Sequence, residues 1–223
     1  MRQRATGAGG DDTERERLRM VARQLRRRGL RDPRVLAAMA SVPRERFVPP
    51  ALRHDAYGDR ALPIGDEQTI SQPYIVACMT ELLELGGDEC VLEVGTGSGY
   101  GAAVLSRCAR EVVTIERRAD LARRARAVLG DLGLDNVEVR VGDGSRGAPD
   151  RAPFGGISVT ATARGGPPPA LLEQLAPGAA LVCPVADAHG ERLMRYREAQ
   201  EESVARVRFV PLVADEEDEE GAG

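Results

Sequence analysis

Two short stretches gather the residues that could do chemistry, VLEVGTGSGYGAAVL at 91–105 and QTISQPYIVA at 68–77. In the first, an apolar run delivers the chain to Gly95, Gly97 and Gly99, where the missing side chains let backbone approach a ligand closely. Two acids follow at regular stations: Glu116 at the end of EVVTIE and Asp143 in the VGDG that follows VEVRV. With Glu93 they put one carboxylate at or after each of three successive apolar runs. Tyr100 stands where a G-x-G-x-x-G pattern needs its last glycine, so the cradle for a dinucleotide pyrophosphate is incomplete. A cationic, phosphate-free nucleoside suits the acids better. Glu93 would face an amino-acid head, Glu116 the two ribose hydroxyls and Asp143 the exocyclic amine of adenine, the three parts of S-adenosylmethionine. In the second stretch Thr69, Ser71 and Gln72 crowd just ahead of Pro73 and an apolar run. The Ser71 hydroxyl can be read as a helix cap or as a group turned toward a substrate.

The elements that must position these residues alternate. Strands are expected at 90–94, 111–116, 137–141, 155–160 and 180–185, with helices at about 99–108, 118–132 and 170–175. Short buried strands separated by helices imply a parallel, doubly wound sheet. The end differs, because 191–198 and 203–212 read as two strands with no helix between them and should pair as an antiparallel hairpin. That outline is a class I methyltransferase (Rossmann-like) α/β fold rather than a plain dinucleotide dehydrogenase. Ahead of it, a capping-box pattern from Thr13 to Glu16 starts a helix that Gly29 stops. Asp32-Pro33 starts a second helix, which ends before Pro43. Residues 43–67 read as ordered loop with little regular structure, and a third helix runs from Pro73 to Leu85. The organisation is thus a flexible arm (1–12), N-terminal helices with a substrate-side loop (13–88), a cofactor-binding core (89–213) and an acidic disordered tail (214–223).

Composition narrows the chemistry. The 223 residues carry 31 basic side chains, all arginine, so Schiff-base and phosphate-loop lysine chemistry drop out. Four cysteines (Cys78, Cys90, Cys108, Cys183) without a CxxC, and isolated His54 and His189, speak against a zinc site or a disulfide framework. No run approaches the roughly 18 apolar residues of a membrane span, and the N-terminus has no apolar signal core, so a cytoplasmic protein is expected. The tail run DEEDEE holds six negatives, more than the net charge of −4, and reads as solvated. The first 34 residues hold eleven arginines but no interleaved aromatics, so nucleic acid is not expected as a partner. A monomer is the default.

The combination of ALPIG and QTISQPYIVA, the glycine turn some 25 residues later, VGDG and the terminal RFVPLV resembles the protein-L-isoaspartate (D-aspartate) O-methyltransferase family from about Leu18 to Val213. The glycine turn belongs to all class I methyltransferases, whereas QTISQP is specific to this family. The resemblance implies methyl transfer from S-adenosylmethionine to the free α-carboxylate of an L-isoaspartyl residue in a protein or peptide, with the ester collapsing to a succinimide. It implies Ser71 as the catalytic residue. For the cofactor it implies Gln68, Thr69 and Ile70, then Glu93, Gly95, Thr96, Gly97, Ser98 and Tyr100, then Glu116, Arg117, Asp143, Gly144 and Thr160. For the substrate it implies Ile64, Ser71, Thr162, Arg164, Arg208 and Phe209, the last two near the start of the final strand and closing over the substrate backbone. No metal is implied.

The chain departs from the family pattern twice. It reads FGGIS where the family has FDAI, and VTATARGGPPP where the family has VTAAPPEIP, which adds Arg164 near an anionic substrate. Two alternatives therefore stay open. One is a peptide-tailoring relative that methylates ordinary aspartate in a ribosomally made precursor. The other is a non-catalytic module that binds methyl donor or peptide.

Overall fold

The computed structural model describes residues 8–188, 190–198 and 200–214. His189, the first seven residues of the expected arm and the DEEDEE run of the expected tail lie outside the described residues.

Parallel strands buried on both faces read as continuous apolar runs, and the centre of the molecule is built that way. Strands β3 (Cys90–Val94), β4 (Glu111–Glu116), β5 (Val137–Val141), β6 (Phe154–Val159) and β8 (Leu175–Asp187) form a parallel array. Strands β9 (Gly190–Arg197) and β10 (Gln200–Arg206) close it as an antiparallel hairpin on β8. The order across the sheet is β10-β9-β8-β6-β3-β4-β5, and the two-residue β7 (Ala163–Arg164) pairs beside β8. Chain order reverses between β3 and β6, the place where open α/β sheets bind ligands.

Two apolar clusters cover the two faces. One packs the N-terminal helices, α3 (Pro73–Leu82), α4 (Tyr100–Leu105) and α5 (Ala119–Asp131) on alternate strand residues such as Val91 and Val112. The other gathers the intervening residues, Leu92 and Val113 among them, under Leu171 of the short α6 (Pro169–Leu172). The N-terminal helices are α1 (Ala8–Met20) and α2 (Pro33–Ser41). Asp32 caps α2 by accepting from the backbone N–H of Arg34 and Val35, with Pro33 preset for the first turn.

Several boundaries differ from the sequence-based expectation, each for a local reason. Helix α1 is already running at Ala8, with an Arg15–Asp12 pair one turn apart at 3.3 Å ahead of the Thr13 capping pattern. Residues 62–70 are not loop but a hairpin, β1 (Leu62–Gly65) on β2 (Gln68–Ile70). Asp66 and Glu67 both take positive φ (52° and 57°) at its turn. Helix α3 stops at Leu82 rather than Leu85 because Glu84 turns left-handed (φ 53°) and sends its carboxylate to Arg195 and Arg197. Helix α4 ends at Leu105, where the Asn136 side chain takes the Ser106 carbonyl at 2.9 Å. Helix α6 is cut short by Gln174, whose side chain bridges Arg146 and Ala148, and β8 begins at Leu175 instead of 180. Strand β10 ends at Arg206, and residues 207–212 turn away toward Thr162.

Candidate active site

The site begins where β3 stops. The Gly95 and Thr96 N–H groups both donate to the Ile115 carbonyl of β4 (2.8 and 3.3 Å), which pins the glycine turn across the sheet. Gly95 adopts φ 94°, and a Cβ there would lie 2.3 Å from Thr160 Oγ1, so only glycine fits. That threonine hydroxyl sits 2.7 Å from the Gly95 carbonyl and 3.0 Å from Val94 O, closing the crevice between β3 and β6. The Gly97 N–H donates to Glu116 Oε2 (2.7 Å) and the Arg118 N–H to its Oε1 (3.0 Å). Two backbone donors thus hold the carboxylate at the end of β4 and leave its remaining lone pairs open.

Glu93 behaves differently. It is 1% exposed, faces its register partners Thr114 and Ser158, and accepts from Thr114 Oγ1 at 2.7 Å. A Cβ on Gly101 would come within 2.2 Å of its Oε1, so helix α4 packs directly on the carboxyl. Burial without a cationic partner pushes its pKa up to about 8, opposed by the Thr114 hydrogen bond and reinforced by Glu116. Its environment thus favours the protonated form.

These residues line a cleft of about 440 Å³, within the range of small-molecule sites. Gln68, Thr69, Ile70, Glu93, Gly95, Thr96, Gly97, Ser98, Tyr100, Glu116, Arg117, Gly144 and Thr160, all expected around the cofactor, are brought together as its lining. Asp143 is the exception. Its carboxylate accepts from the Ser145 N–H (2.9 Å) and caps the turn at 144–146, leaving Gly144 as the lining residue. Sequence reasoning missed Gly101, Arg118 and the C-terminal residues Val210, Pro211, Leu212 and Val213, which form the far wall. Gly101 carried a signal as the fourth glycine of GTGSGYG, and Val210 to Val213 belong to the RFVPLV stretch that marked the family resemblance without being given a role.

A second cavity of about 370 Å³ adjoins the first and shares Thr69, Ser71, Thr160 and Val210 with it. Ser71, Arg208 and Phe209 line it, joined by Ala61, Gln72, Ile75, Arg206 and Val207. Helix α3 is capped by Gln72 with no side-chain hydrogen bond, so Ser71 does not serve as its cap. No described residue hydrogen-bonds the Ser71 hydroxyl, which is left to the space between the cavities. Arg208 and Phe209 lie beyond β10, not near its start, because the Glu191 carboxylate draws the Phe209 N–H to 2.9 Å and the Glu191 carbonyl takes the Val207 N–H at 3.1 Å. The other three expected substrate residues stand outside this cavity. Ile64 packs behind the glycine turn. Thr162 is buried and clasps the C-terminal segment through its backbone, donating to Val210 O and accepting from Leu212 N, both at 2.8 Å. Arg164 is exposed on β7, which pairs with β8.

Thiol chemistry has no foothold here. The four cysteines are free, and burial pushes Cys78 up to about 11 and Cys108 and Cys183 up to about 12.

The model of the family described as protein-L-isoaspartate(D-aspartate) O-methyltransferase matches residues 16–217. The chain belongs to this family. Its relatives include protein-L-isoaspartate O-methyltransferase 1 of Rhodopseudomonas palustris (strain HaA2), 56% identical over 90% of this chain and 84% of that one. A protein-L-isoaspartate O-methyltransferase of Methanoregula boonei is 54% identical, with 89% and 93% covered. Among solved structures, a protein-L-isoaspartate O-methyltransferase with 27% identity superposes with a TM-score of 0.78, over 87% of this chain and 65% of that one. The Plasmodium falciparum structure in complex with S-adenosyl-L-homocysteine shares the fold at a TM-score of 0.75 and 22% identity, with 89% and 99% covered. The family's fold is therefore the class I methyltransferase architecture described above. Among the described residues, no helix is long and apolar enough to cross a membrane.

Proposed function

We propose that this family member is an S-adenosylmethionine-dependent carboxyl methyltransferase that acts on L-isoaspartyl residues of proteins and peptides and leads through a methyl ester to a succinimide. The observation that carries the reading is the wall common to the two cavities: Thr69, Ser71, Thr160 and Val210 border both. A group held in one cleft faces a group held in the other across a serine hydroxyl that no described residue engages. The names of the relatives agree with it.

S-adenosylmethionine suits the first cleft, and when bound it supplies an electrophilic methyl group on a sulfonium. Glu116, steadied by two amides, offers its free lone pairs to ribose hydroxyls. Burial favours the neutral form of Glu93, and a cation held beside it would favour the ionised one. On the other side, an isoaspartyl carboxylate with an ordinary pKa near ~4 is already ionised at neutral pH, so no general base is needed. The work left to the protein is to hold that anion and aim one oxygen. Ser71 can donate its hydroxyl to the carboxylate, Arg206 and Arg208 supply a positive field at the mouth, and Ile75 and Phe209 exclude water. The altered loop 161–169 enters the lining only at Ala161, which favours isoaspartate over the tailoring of ordinary aspartate.

The test offers the purified protein labelled S-adenosylmethionine and matched peptides carrying L-isoaspartate or L-aspartate. Base-labile label on the isoaspartyl peptide alone is expected; label on the aspartyl peptide alone would overturn the repair reading. Ser71→Ala should lower kcat about 10- to 100-fold while the affinity for S-adenosylhomocysteine stays within about twofold. Turnover equal to that of the unaltered protein would remove Ser71 from the mechanism.

A further inference from the structure

Arg44 heads the fully buried side chains by size, at 0% exposure. A lone buried cation is strongly unfavourable unless it is paired or fully hydrogen-bonded, yet no described carboxylate lies within ion-pair distance of it. The one acid whose charge reaches it, Asp59, is engaged with Arg28 at 2.7 Å and with the Gln72 side chain at 3.1 Å. Three backbone carbonyls from two segments, the loop 56–60 and Ser71, take its place, while the Arg44 Nε has no partner among the described residues. The guanidinium donates to Ala56 O, to Arg60 O (3.4 Å) and to Ser71 O (2.9 Å). Desolvation lowers its pKa, but an arginine remains charged at any physiological pH.

The third of these carbonyls belongs to the residue between the two cavities. A trans peptide is planar, with its C=O and N–H pointing opposite ways. Fixing Ser71 O therefore also turns the Gln72 N–H away from Arg44, and no described group accepts from that N–H. Gln72 lines the second cavity beside Ser71. On its other side, the guanidinium carbon lies 5.6 Å from the centre of the Tyr100 ring. Tyr100 opens α4 directly after the glycine turn, lines the first cavity and is braced edge-on by Phe47. One side chain thus touches both walls.

We infer that Arg44 is a positioning residue: it fixes the Ser71–Gln72 peptide relative to the cofactor cleft, and so aims the serine hydroxyl and one backbone donor at the carboxylate to be methylated. The inference rests on the methyl-transfer reading above. Lysine at this position keeps the charge but lacks the planar fork that reaches several carbonyls at once.

A double-mutant cycle with Ser71 separates positioning from mere support of the fold. Arg44→Lys is expected to lower kcat on an isoaspartyl peptide at least about tenfold, with S-adenosylhomocysteine affinity within about threefold. In a Ser71→Ala background the same change should cost less than about threefold. Hydrogen exchange, read by mass spectrometry, should quicken in segment 68–76 and stay unchanged in core segment 111–116. Equal losses in both backgrounds, unaltered exchange at 68–76, or equal quickening in both segments would each overturn the inference. If the unaltered protein methylates no isoaspartyl peptide, the functional reading fails on its own, and the exchange comparison still decides whether Arg44 holds the Ser71 segment.

Discussion

Glu93 illustrates how one residue can be legible as a type and illegible as a state. Its place at the end of an apolar strand marks it as a ligand-facing acid, but nothing in VLEVG announces that α4 will press on it through Gly101 and favour its uncharged form. The consequence appears in stability against pH. Its folded pKa, near 8, exceeds the ordinary 4.5, so between those values the folded state retains a proton that the unfolded state has lost. Stability therefore falls as pH rises from about 4.5 to 8, by on the order of a few kcal/mol from this group alone. Glu93→Gln removes that dependence, and denaturant unfolding at pH 5 and 8 should show a smaller difference for the variant; an unchanged difference would mean Glu93 ionises freely. Asp143 teaches the converse. In VGDG its carboxylate accepts from the Ser145 N–H at 2.9 Å, a local contact that the spacing of acids did not announce. Ser71 was legible as a choice between cap and substrate contact, and the choice turned on where Gln72 placed the helix start.

At the level of elements, the parallel strands were legible because each is buried on both faces and so is apolar throughout. The hairpin at 62–70 escaped notice because its turn is Asp66-Glu67 rather than a glycine pair, although Leu62 and Ile64 alternate with exposed neighbours. The C-terminal segment was expected near the substrate, but its path escaped because it is set by contacts remote in sequence. Glu191 on β9 accepts from the Phe209 N–H and from the Thr162 hydroxyl (3.3 Å), and Thr162 then clasps Val210 and Leu212. These few bonds make residues 207–212 a wall of both cavities. Glu191→Ala should therefore raise KM for an isoaspartyl peptide about tenfold, the loss expected for hydrogen bonds to a charged acceptor, with little change in kcat. Steady-state kinetics in peptide concentration checks this, and an unaltered KM would mean the wall stands without its carboxylate.

For the molecule as a whole, the decisive feature is topological. Strand order reverses between β3 and β6, and the second strand of the β1–β2 hairpin together with the start of α3 lines the crevice that opens there. The parallel sheet and its closing hairpin followed from the pattern of the sequence; the meeting of two cavities at Ser71 did not, since it needs segments 68–72, 160 and 206–210 brought together in space. A cleft that forms only in the folded chain couples ligand to stability. S-adenosylhomocysteine at 100 times its Kd should contribute about 2.7 kcal/mol, a rise in Tm of about 5–11 °C for a chain of this size. A shift below about 1 °C in a thermal melt would count against the cleft as its site.

Asp143-Gly144 has one more consequence. Isoaspartate arises when a backbone nitrogen attacks the side chain of the preceding Asp or Asn, and a following glycine obstructs that attack least. This chain has a single asparagine, Asn136, followed by valine, and a single Asp-Gly pair, which lies at the rim of its own cofactor cleft. There the hydrogen bond from Ser145 ties up the carboxylate that would have to be attacked. A protein proposed to reverse this form of ageing thus keeps its own most vulnerable peptide bond under a local lock.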